Sequence, residues 1–262
     1  MCIRDRIKVS LLAYFGVLRK NLLYKTKVEY GDYALNHYEG CQHGCKYCYA
    51  RMIKKKPYQV WVKARPVANA ISLLKKELPV LRNEIKEVYL CFSCDPYMPL
   101  ERKTQLTQRI IKILMENDVA FSILTKSDLV LRDLNLLSNY DKCRVGFTIT
   151  TLNDNVRKFW EPYAPSIEDR IRAVKTFHDY GVETWISVEP ILDNTYIDLI
   201  YKLQDYVNQF VFGKLNYMKS NLNWRKVAEK IVETCKELGL NFILKKELAN
   251  HLTKCPGDYV KL

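Results

Sequence analysis

No apolar run in this chain is long enough to cross a membrane. A membrane-spanning helix takes about 20 mostly apolar residues, and the longest early candidate, residues 9–18, is shorter than that. No small-residue cleavage site follows it, so we expect no signal peptide. Glycine and proline are scarce, at 9 each in 262 residues, and low-complexity tracts and sequence repeats are absent. We therefore expect a folded cytoplasmic protein without a membrane partner.

Disulfide bonds are also not expected. The chain has 9 cysteines, an odd number, and it is long enough to form a full hydrophobic core without disulfide bonds. Reduced thiols, some of them metal ligands, suit such a chain better. Cys143, Cys235 and Cys255 show no second motif, so we expect no auxiliary metal cluster.

The length suits one domain, because α/β barrels of more than about 200 residues often form a single unit. The first six residues, Met1 to Arg6, read like the translation of the transposon end used to prepare sequencing libraries. We expect residues 1–6 to be an adapter artefact. Residues 7–262 are then expected to form one domain with its core at about 33–245.

Positive charge is concentrated near the start of the chain. The net charge is +13, and residues 1–65 contain 14 Lys and Arg against 4 Asp and Glu. In part of this region Tyr58 and Trp61 are interleaved with the cations Lys54, Lys55, Lys56, Lys63 and Arg65. Two interpretations stay open: a nucleic-acid partner held by phosphate contacts and base stacking, or a solvated surface.

Short β-branched or aromatic runs alternate with amphipathic stretches, which is typical of βα units on a parallel sheet. The predicted strands are 33–37, 88–93, 120–125, 144–150, 183–188, 209–213 and 241–244. The predicted helices are 66–81, 104–117, 129–138, 166–180, 195–207 and 224–238. About seven such units predict an incomplete or nearly complete α/β barrel with its chemistry at the carboxyl ends of the strands.

Three cysteines with C-x3-C-x2-C spacing follow the first predicted strand: Cys41, Cys45 and Cys48. Three soft ligands on one loop indicate a soft metal. Gly40 and Gly44 let the loop curl so that the sulfurs share one centre. Three ligands leave one position open, and on a four-iron four-sulfur (4Fe-4S) cluster an iron without a protein ligand can bind a chelator. A closed zinc site with His43 or a distant cysteine as fourth ligand is the alternative.

The motif resembles that of the radical S-adenosylmethionine (SAM) enzymes, in which the aromatic residue before the last cysteine, here Tyr47, also recurs. The resemblance implies a partial (β/α)6 TIM-like barrel, a 4Fe-4S cluster and bound SAM. It also implies reductive cleavage of SAM to a 5′-deoxyadenosyl radical that abstracts hydrogen, with an external electron donor of the flavodoxin or ferredoxin type.

Within that superfamily, residues 34 to about 193 resemble the spore photoproduct lyase and DNA-repair-photolyase-like group. The matching segments are 45–49, 95–101, 125–127, 148–150 and 161–166, followed by Arg170. This resemblance and the basic first quarter favour a nucleic-acid substrate, with reversal of a DNA lesion as one case. RNA, protein and small-molecule substrates stay open.

The resemblance also implies roles for individual side chains. It assigns return of a hydrogen atom to Cys91, with Ser93 near the cofactor, although Cys94 competes for the role and Cys91 could simply be a core residue. It assigns a contact with the SAM carboxylate to Lys126, which would otherwise be a surface lysine.

Further candidates for cofactor binding come from position. Thr148 and Thr150 share a face by strand period, where their hydroxyls could meet the ribose or methionine groups. Tyr47 and Tyr49 could shield the cluster or stack on adenine, and Glu189 ends a strand within reach of adenosine. For each of these a structural role is the alternative.

Two other classes of protein would explain part of the pattern. A zinc-binding nucleic-acid module accounts for the thiols and the charge, but it does not need this length. Nor does it need the polar residues found at or just after six predicted strand ends, at Cys41, Ser93, Thr125, Thr148, Glu189 and Lys214. A non-catalytic iron-sulfur protein would bind a cluster without cleaving SAM.

Overall fold

An eight-stranded sheet forms the centre of the structure, a computed structural model that describes residues 16–27 and 31–252. The predicted adapter segment and Cys255 lie outside these ranges. The strands of the sheet are β1 (Leu23–Lys25), β2 (Tyr33–Leu35), β5 (Glu87–Leu90), β6 (Ala120–Thr125), β7 (Cys143–Thr148), β8 (Glu183–Val188), β9 (Gln209–Phe212) and β10 (Phe242–Leu244). A small hairpin pairs β3 (Tyr38–Glu39) with β4 (Arg65–Pro66).

The sheet order is β1-β2-β5-β6-β7-β8-β9-β10. Strand β1 is antiparallel to β2, and every other neighbouring pair is parallel. The α/β fold with a parallel sheet, as in a partial barrel, confirms the predicted class. Since βα units connect consecutive parallel strands, the carboxyl ends of seven strands share one edge.

Helices alternate with the strands because apolar residues recur at helical spacing between them. The helices are α1 (Tyr49–Ile53), α2 (Tyr58–Trp61), α3 (Ala70–Leu81), α4 (Glu101–Thr104), α5 (Leu106–Glu116), α6 (Leu134–Ser138), α7 (Asp154–Trp160), α8 (Ile167–Asp179), α9 (Tyr196–Leu203), α10 (Trp224–Glu237) and α11 (Lys246–Ala249). Side-chain caps fix some of their first turns: Ser166 accepts the N–H of Asp169, and Asn223 accepts that of Lys226. In the described part of the chain, no helix combines the length and apolarity that crossing a membrane requires.

The predicted elements differ from the observed ones mainly where chain segments are short. Strands 120–125 and 183–188 are confirmed to the residue. The predicted helix 129–138 is wrong in its first half, which is a 3₁₀ helix over Asp128–Asp133. Helices α1, α2 and α7 and strand β1 were not predicted, because three to seven residues show too little periodicity to stand out.

Candidate functional site

A cavity of about 430 Å³ lies at the carboxyl edge of the sheet. Its lining comes from the ends of β5 to β10 and from the cysteine loop after β2. Most of the side chains singled out in the sequence line it together: Cys41, Cys45, Tyr47, Cys48, Tyr49, Cys91, Ser93, Cys94, Lys126, Thr148 and Glu189. Residues from six separate strand ends therefore face one space.

Close packing against α2 shapes the cysteine loop. Gly40 has φ +81°, and a Cβ there would lie 2.4 Å from the carbonyl oxygen of Trp61. Gly44 has φ +62°, and a Cβ there would lie 2.6 Å from the Tyr58 hydroxyl oxygen. That hydroxyl donates to the Gly44 carbonyl at 2.9 Å, and the Cys41 N–H donates to the Trp61 carbonyl at 2.9 Å. Only glycine fits both positions, so the loop depends on the two residues that flank its cysteines.

The same packing corrects one sequence-based interpretation. Trp61 was expected to be able to stack on bases, but it is only 2% exposed, so no base can reach its ring. Arg65 is exposed, yet it pairs with Glu39 at 2.9 Å. Lys54, Lys55 and Lys56 are exposed. The basic region therefore offers exposed positive charges, but the Trp61 ring is not available for base stacking.

The three thiols sit in surroundings that oppose their ionisation. Burial raises the pKa of Cys45 to about 12, against the lowering effect of the Lys126 cation. Burial likewise raises the pKa values of Cys41 and Cys48. A thiol binds a metal as the thiolate. A bound metal centre would therefore have to stabilise the three thiolate charges, which the buried surroundings disfavour.

The chemistry of the donor set fits an iron-sulfur cluster. Cys41, Cys45 and Cys48 all line one cavity, and cysteine thiolates are the ligands that hold such clusters. In a 4Fe-4S cluster each thiolate binds a different iron, so three cysteines would leave one iron without a protein ligand. Within residues 16–27 and 31–252, no three His, Cys, Asp or Glu side chains are grouped closely enough to share one metal ion.

Two buried polar side chains on the cavity wall each have an atom without a hydrogen-bond partner within the described ranges. The Ser187 hydroxyl, 1% exposed, has none, and Nδ1 of His43 has none, whereas Nε2 of His43 pairs with Asp95 Oδ2 at 3.1 Å. Buried polar atoms in native proteins are almost always satisfied. Their position on the cavity wall therefore indicates a polar occupant. The sequence did not single out Ser187, because a serine inside a strand looks like any core position.

Asp95 connects the loop after β5 to the end of β6. Its carboxylate accepts from the Thr125 hydroxyl at 2.7 Å, the Lys126 N–H at 2.8 Å and the Tyr97 N–H at 2.9 Å. Burial opposes its ionisation, but His43 and these hydrogen bonds lower the pKa of Asp95 to about 2. Asp95 thus holds Lys126 by its backbone.

Behind the cysteine loop lies a buried network around Glu161. Its carboxylate pairs with Arg170 at 2.5 Å and accepts from Thr150 at 3.1 Å and from the Tyr47 hydroxyl. Burial opposes ionisation, but Arg170 and Lys126 keep the pKa of Glu161 below its usual value. Thr150 does not line the cavity, because β7 ends at Thr148 and the strand alternation stops there.

The two cysteines after β5, Cys91 and Cys94, line the same cavity as Lys126. Cys91 is 2% exposed and has φ +61°. Ser93 bonds to Asn36 through both its N–H and its hydroxyl, at 2.7 and 3.0 Å. The Cys94 thiol points toward the Tyr38 carbonyl at 3.6 Å. Both thiols remain candidates for a hydrogen donor.

Four lysines contribute to the cavity lining. Lys214 follows β9, Lys245 and Lys246 follow β10, and Lys27 follows β1. Lys245 pairs with Glu189 at 2.8 Å, and Lys214 lies 3.2 Å from the His251 ring nitrogen. The sequence indicated Lys214 only as a polar strand end. The lysines of β10 and α11 were missed, because nothing in their local pattern distinguishes them from surface residues.

Comparison with known proteins identifies the family of this chain. The family model described as the radical SAM superfamily matches residues 35–205. An uncharacterized protein of Methanocaldococcus jannaschii is 36% identical over 228 residues, which cover 84% of each chain. An uncharacterized protein of Acidianus two-tailed virus is 31% identical over 173 residues, 61% of this chain and 56% of that one. The chain belongs to the radical SAM superfamily.

Solved structures show the same fold. Spore photoproduct lyase complexed with dinucleoside spore photoproduct superposes with a TM-score of 0.67 at 16% identity, over 87% of this chain and 80% of that one. Streptococcus suis SuiB bound to S-adenosylmethionine gives a TM-score of 0.58 at 13% identity, over 91% of this chain and 51% of that one. The chain thus spans about half the length of SuiB.

Proposed function

We propose that this protein is an enzyme that uses a 4Fe-4S cluster held by Cys41, Cys45 and Cys48, with SAM bound in the adjoining cavity. When bound, these two groups supply a 5′-deoxyadenosyl radical by one-electron cleavage, the electron coming from a flavodoxin-type or ferredoxin-type donor. The observation that carries the proposal is that one cavity is lined by three thiols, a half-buried lysine and two buried polar atoms without a hydrogen-bond partner in the described residues, Ser187 Oγ and His43 Nδ1.

The residues of the cavity have separate tasks in this proposal. Lys126 offsets the charge of the thiolates and binds the SAM carboxylate, since its ammonium lies among Cys45, Glu161 and the Tyr47 ring. Ser187 and Thr148 offer hydroxyls to the ribose or methionine groups. Tyr49, whose hydroxyl donates to the Phe92 carbonyl at 2.5 Å, shields the cavity mouth.

Return of a hydrogen atom to the product radical is assigned to Cys91 or Cys94. A thiol suits this task because its weak S–H bond gives hydrogen readily to carbon radicals. Both thiols line the cavity, so either can meet a substrate that lies beside the cofactor.

The substrate proposed is a nucleic acid. The support comes from the lysines that line the cavity, because Lys27, Lys214 and Lys246 can contact phosphates. The ion pair with Lys245 offsets the negative charge of Glu189 in the same cavity. A structural neighbour has been solved with a dinucleoside photoproduct, which makes that compound a suitable first probe.

Anaerobic reconstitution followed by dithionite reduction with SAM tests the proposal. We expect iron, acid-labile sulfide, 5′-deoxyadenosine and methionine, with dinucleoside spore photoproduct as the first substrate to add. Zinc without iron would favour a zinc-binding nucleic-acid module. A cluster that forms but yields no 5′-deoxyadenosine would favour a non-catalytic iron-sulfur protein.

A further inference from the structure

An exposed aromatic surface lies beside the cysteine loop, outside the cavity. Phe159 and Tyr163 are 56% and 59% exposed. The Lys46 ammonium lies 3.4 Å from the centroid of the Phe159 ring. None of these three side chains lines the cavity. We call Lys46, Phe159 and Tyr163 the loop patch. Aromatic rings grouped on a surface are typical of a site that another molecule covers.

The loop patch touches the cysteine loop directly. The Tyr163 N–H donates to the His43 carbonyl at 3.3 Å, and the Lys46 N–H donates to the Trp160 carbonyl at 2.8 Å. A Cβ on Gly44 would lie 2.7 Å from Cδ2 of Tyr163, so that ring packs on the loop backbone between two of its cysteines. An exposed ring is therefore in contact with the loop that would hold the cluster.

Positive charge surrounds the loop patch. Residues 40–63 contain six Lys and Arg and no Asp or Glu. Tyr58 connects these cations to the patch. Its hydroxyl donates to the Gly44 carbonyl at 2.9 Å, and the Arg51 guanidinium lies 6.0 Å from the centroid of its ring. The surroundings of the patch therefore favour a negatively charged partner.

The carboxylates that flank Phe159 in the chain do not oppose such a partner. Asp154 forms ion pairs with Arg157 at 2.8 Å and with Lys158 at 2.9 Å. Glu161 is fully buried in its ion pair with Arg170. Both negative charges are thus offset within the protein.

The position of the patch decides between two kinds of acidic partner. A nucleic-acid substrate has to reach the cavity, which has lysines of its own at Lys214, Lys245 and Lys246. A cluster on the cysteine loop needs an electron from outside, and the rate of electron transfer between proteins falls steeply with distance. A donor on the loop patch would touch the loop without entering the cavity, so SAM and substrate could stay bound.

We propose that the loop patch, together with the cations of residues 51–56, is the docking surface for an acidic protein that donates one electron. This inference rests on the proposed function, which requires such a donor but does not place it. In the step the donor protein loses one electron and the cluster gains it, while no bond of this chain forms or breaks. Charge steers the encounter, and the two exposed rings supply apolar contact in a small, transient interface.

Two variants remove the two parts of the surface separately. Phe159→Ala removes an exposed ring. The double variant Lys55→Glu/Lys56→Glu reverses two exposed charges. These three side chains neither line the cavity nor belong to the buried core, so we expect both variants to fold and to bind SAM as the wild type does.

The chain offers a matched control for each variant. Tyr180→Ala removes a ring that is 55% exposed, just after α8 and before β8, at the opposite edge of the sheet from the cavity. The double variant Lys75→Glu/Lys76→Glu makes the same change in net charge on exposed residues of α3.

Equilibrium binding of an acidic flavodoxin and of an acidic ferredoxin to the reconstituted full chain gives a readout that does not depend on activity. For the probe that the wild type binds more tightly, we expect Phe159→Ala to weaken binding about 5–30-fold. The charge reversal should weaken it about tenfold in dilute buffer, and salt should shrink this difference. Both controls should bind like the wild type. A wild type that binds neither probe, or test variants that bind no worse than their controls, would overturn the inference.

Formation of 5′-deoxyadenosine with two reductants separates this inference from the proposed function. With excess dithionite, a small molecule that needs no docking surface, both test variants should match the wild type. With a limiting amount of the reduced protein donor, both should be slower in proportion to their lost affinity, and undiminished rates would contradict the inference.

Two further outcomes have distinct meanings. If Lys55→Glu/Lys56→Glu loses affinity for single-stranded DNA but keeps its affinity for the donor, the basic segment binds nucleic acid and the inference is wrong. If the wild type forms no 5′-deoxyadenosine with dithionite, the proposed function fails, whereas the binding comparison still shows whether an acidic redox protein docks on the patch.

Discussion

Glu161 and Arg170 form an ion pair in which neither side chain is exposed to solvent, with Oε2 and Nη2 2.5 Å apart. Arg170 also donates to the Thr148 carbonyl at 2.9 Å, and Glu161 accepts from the Tyr47 hydroxyl. The pair therefore joins the end of β7 to the cysteine loop. Lys46 adds a backbone bond to the Trp160 carbonyl at 2.8 Å. The position of Cys45 and Cys48 depends on this connection.

Removing one partner of the pair is expected to destabilise the protein strongly. Arg170→Met leaves the Glu161 carboxylate buried without its nearest cation, which should cost about 3–5 kcal/mol in the free energy of unfolding. Denaturant unfolding measures this loss. The double variant Arg170→Met/Glu161→Gln leaves neither charge of the pair buried without its partner. Its loss in the free energy of unfolding should therefore be clearly smaller than the sum of the losses in the two single variants. Simple additivity would show that the two side chains do not act as a pair.

The sequence predicted the parts of the site that are local in the chain. The cysteine loop is recognisable because three ligands and two glycines fall within nine residues. The strand ends are recognisable because apolar runs stop there. Tyr47 and Glu161, by contrast, are 114 residues apart, and only the fold brings them together. Trp61 was misjudged because the burial of a four-residue helix is decided by its neighbours.

Ser187→Ala is expected to lower the affinity for SAM without lowering the stability of the protein. The hydroxyl has no protein partner, so its removal should leave the free energy of unfolding unchanged or raise it by up to about 1–3 kcal/mol. If the hydroxyl bonds to SAM, affinity should fall by about 2–10-fold, the worth of one hydrogen bond. Equilibrium binding to the reconstituted protein measures the affinity.

Thr234→Val is the matched control for this experiment. Thr234 also has a buried hydroxyl without a hydrogen-bond partner in the described residues, but it lies on α10 and does not line the cavity. We expect the same direction of change in stability and no change in SAM affinity. Equal affinity losses in both variants would remove Ser187 from the binding site.

Cys45→Ala should abolish formation of 5′-deoxyadenosine while leaving the fold intact, because the variant loses one of three cluster ligands and no core packing. Cys143→Ala provides the comparison, since this buried thiol bonds to the Leu137 and Tyr140 carbonyls and does not line the cavity. Circular dichroism and product analysis measure both properties. Undiminished turnover in Cys45→Ala would refute the assigned ligand set.

Alanine substitutions at two pairs of lysines test whether nucleic acid binds at the cavity or at the exposed basic surface around Lys54, Lys55 and Lys56. Replacing Lys214 and Lys246 by alanine should weaken binding of single-stranded DNA and reduce the slope of log affinity against log salt by about 1.4, at about 0.7 per phosphate contact. Replacing the exposed Lys55 and Lys56 should leave that slope unchanged. The reverse pattern would move the nucleic acid to the other surface.

Electron paramagnetic resonance of the dithionite-reduced protein, recorded with and without SAM, tests most directly whether one iron is left for the cofactor. With Cys41, Cys45 and Cys48 as the only protein ligands, we expect a 4Fe-4S signal whose shape changes when SAM is added. A cluster signal that SAM leaves unaltered would mean that all four irons already have ligands. That result, or the lack of any such signal, would contradict the account.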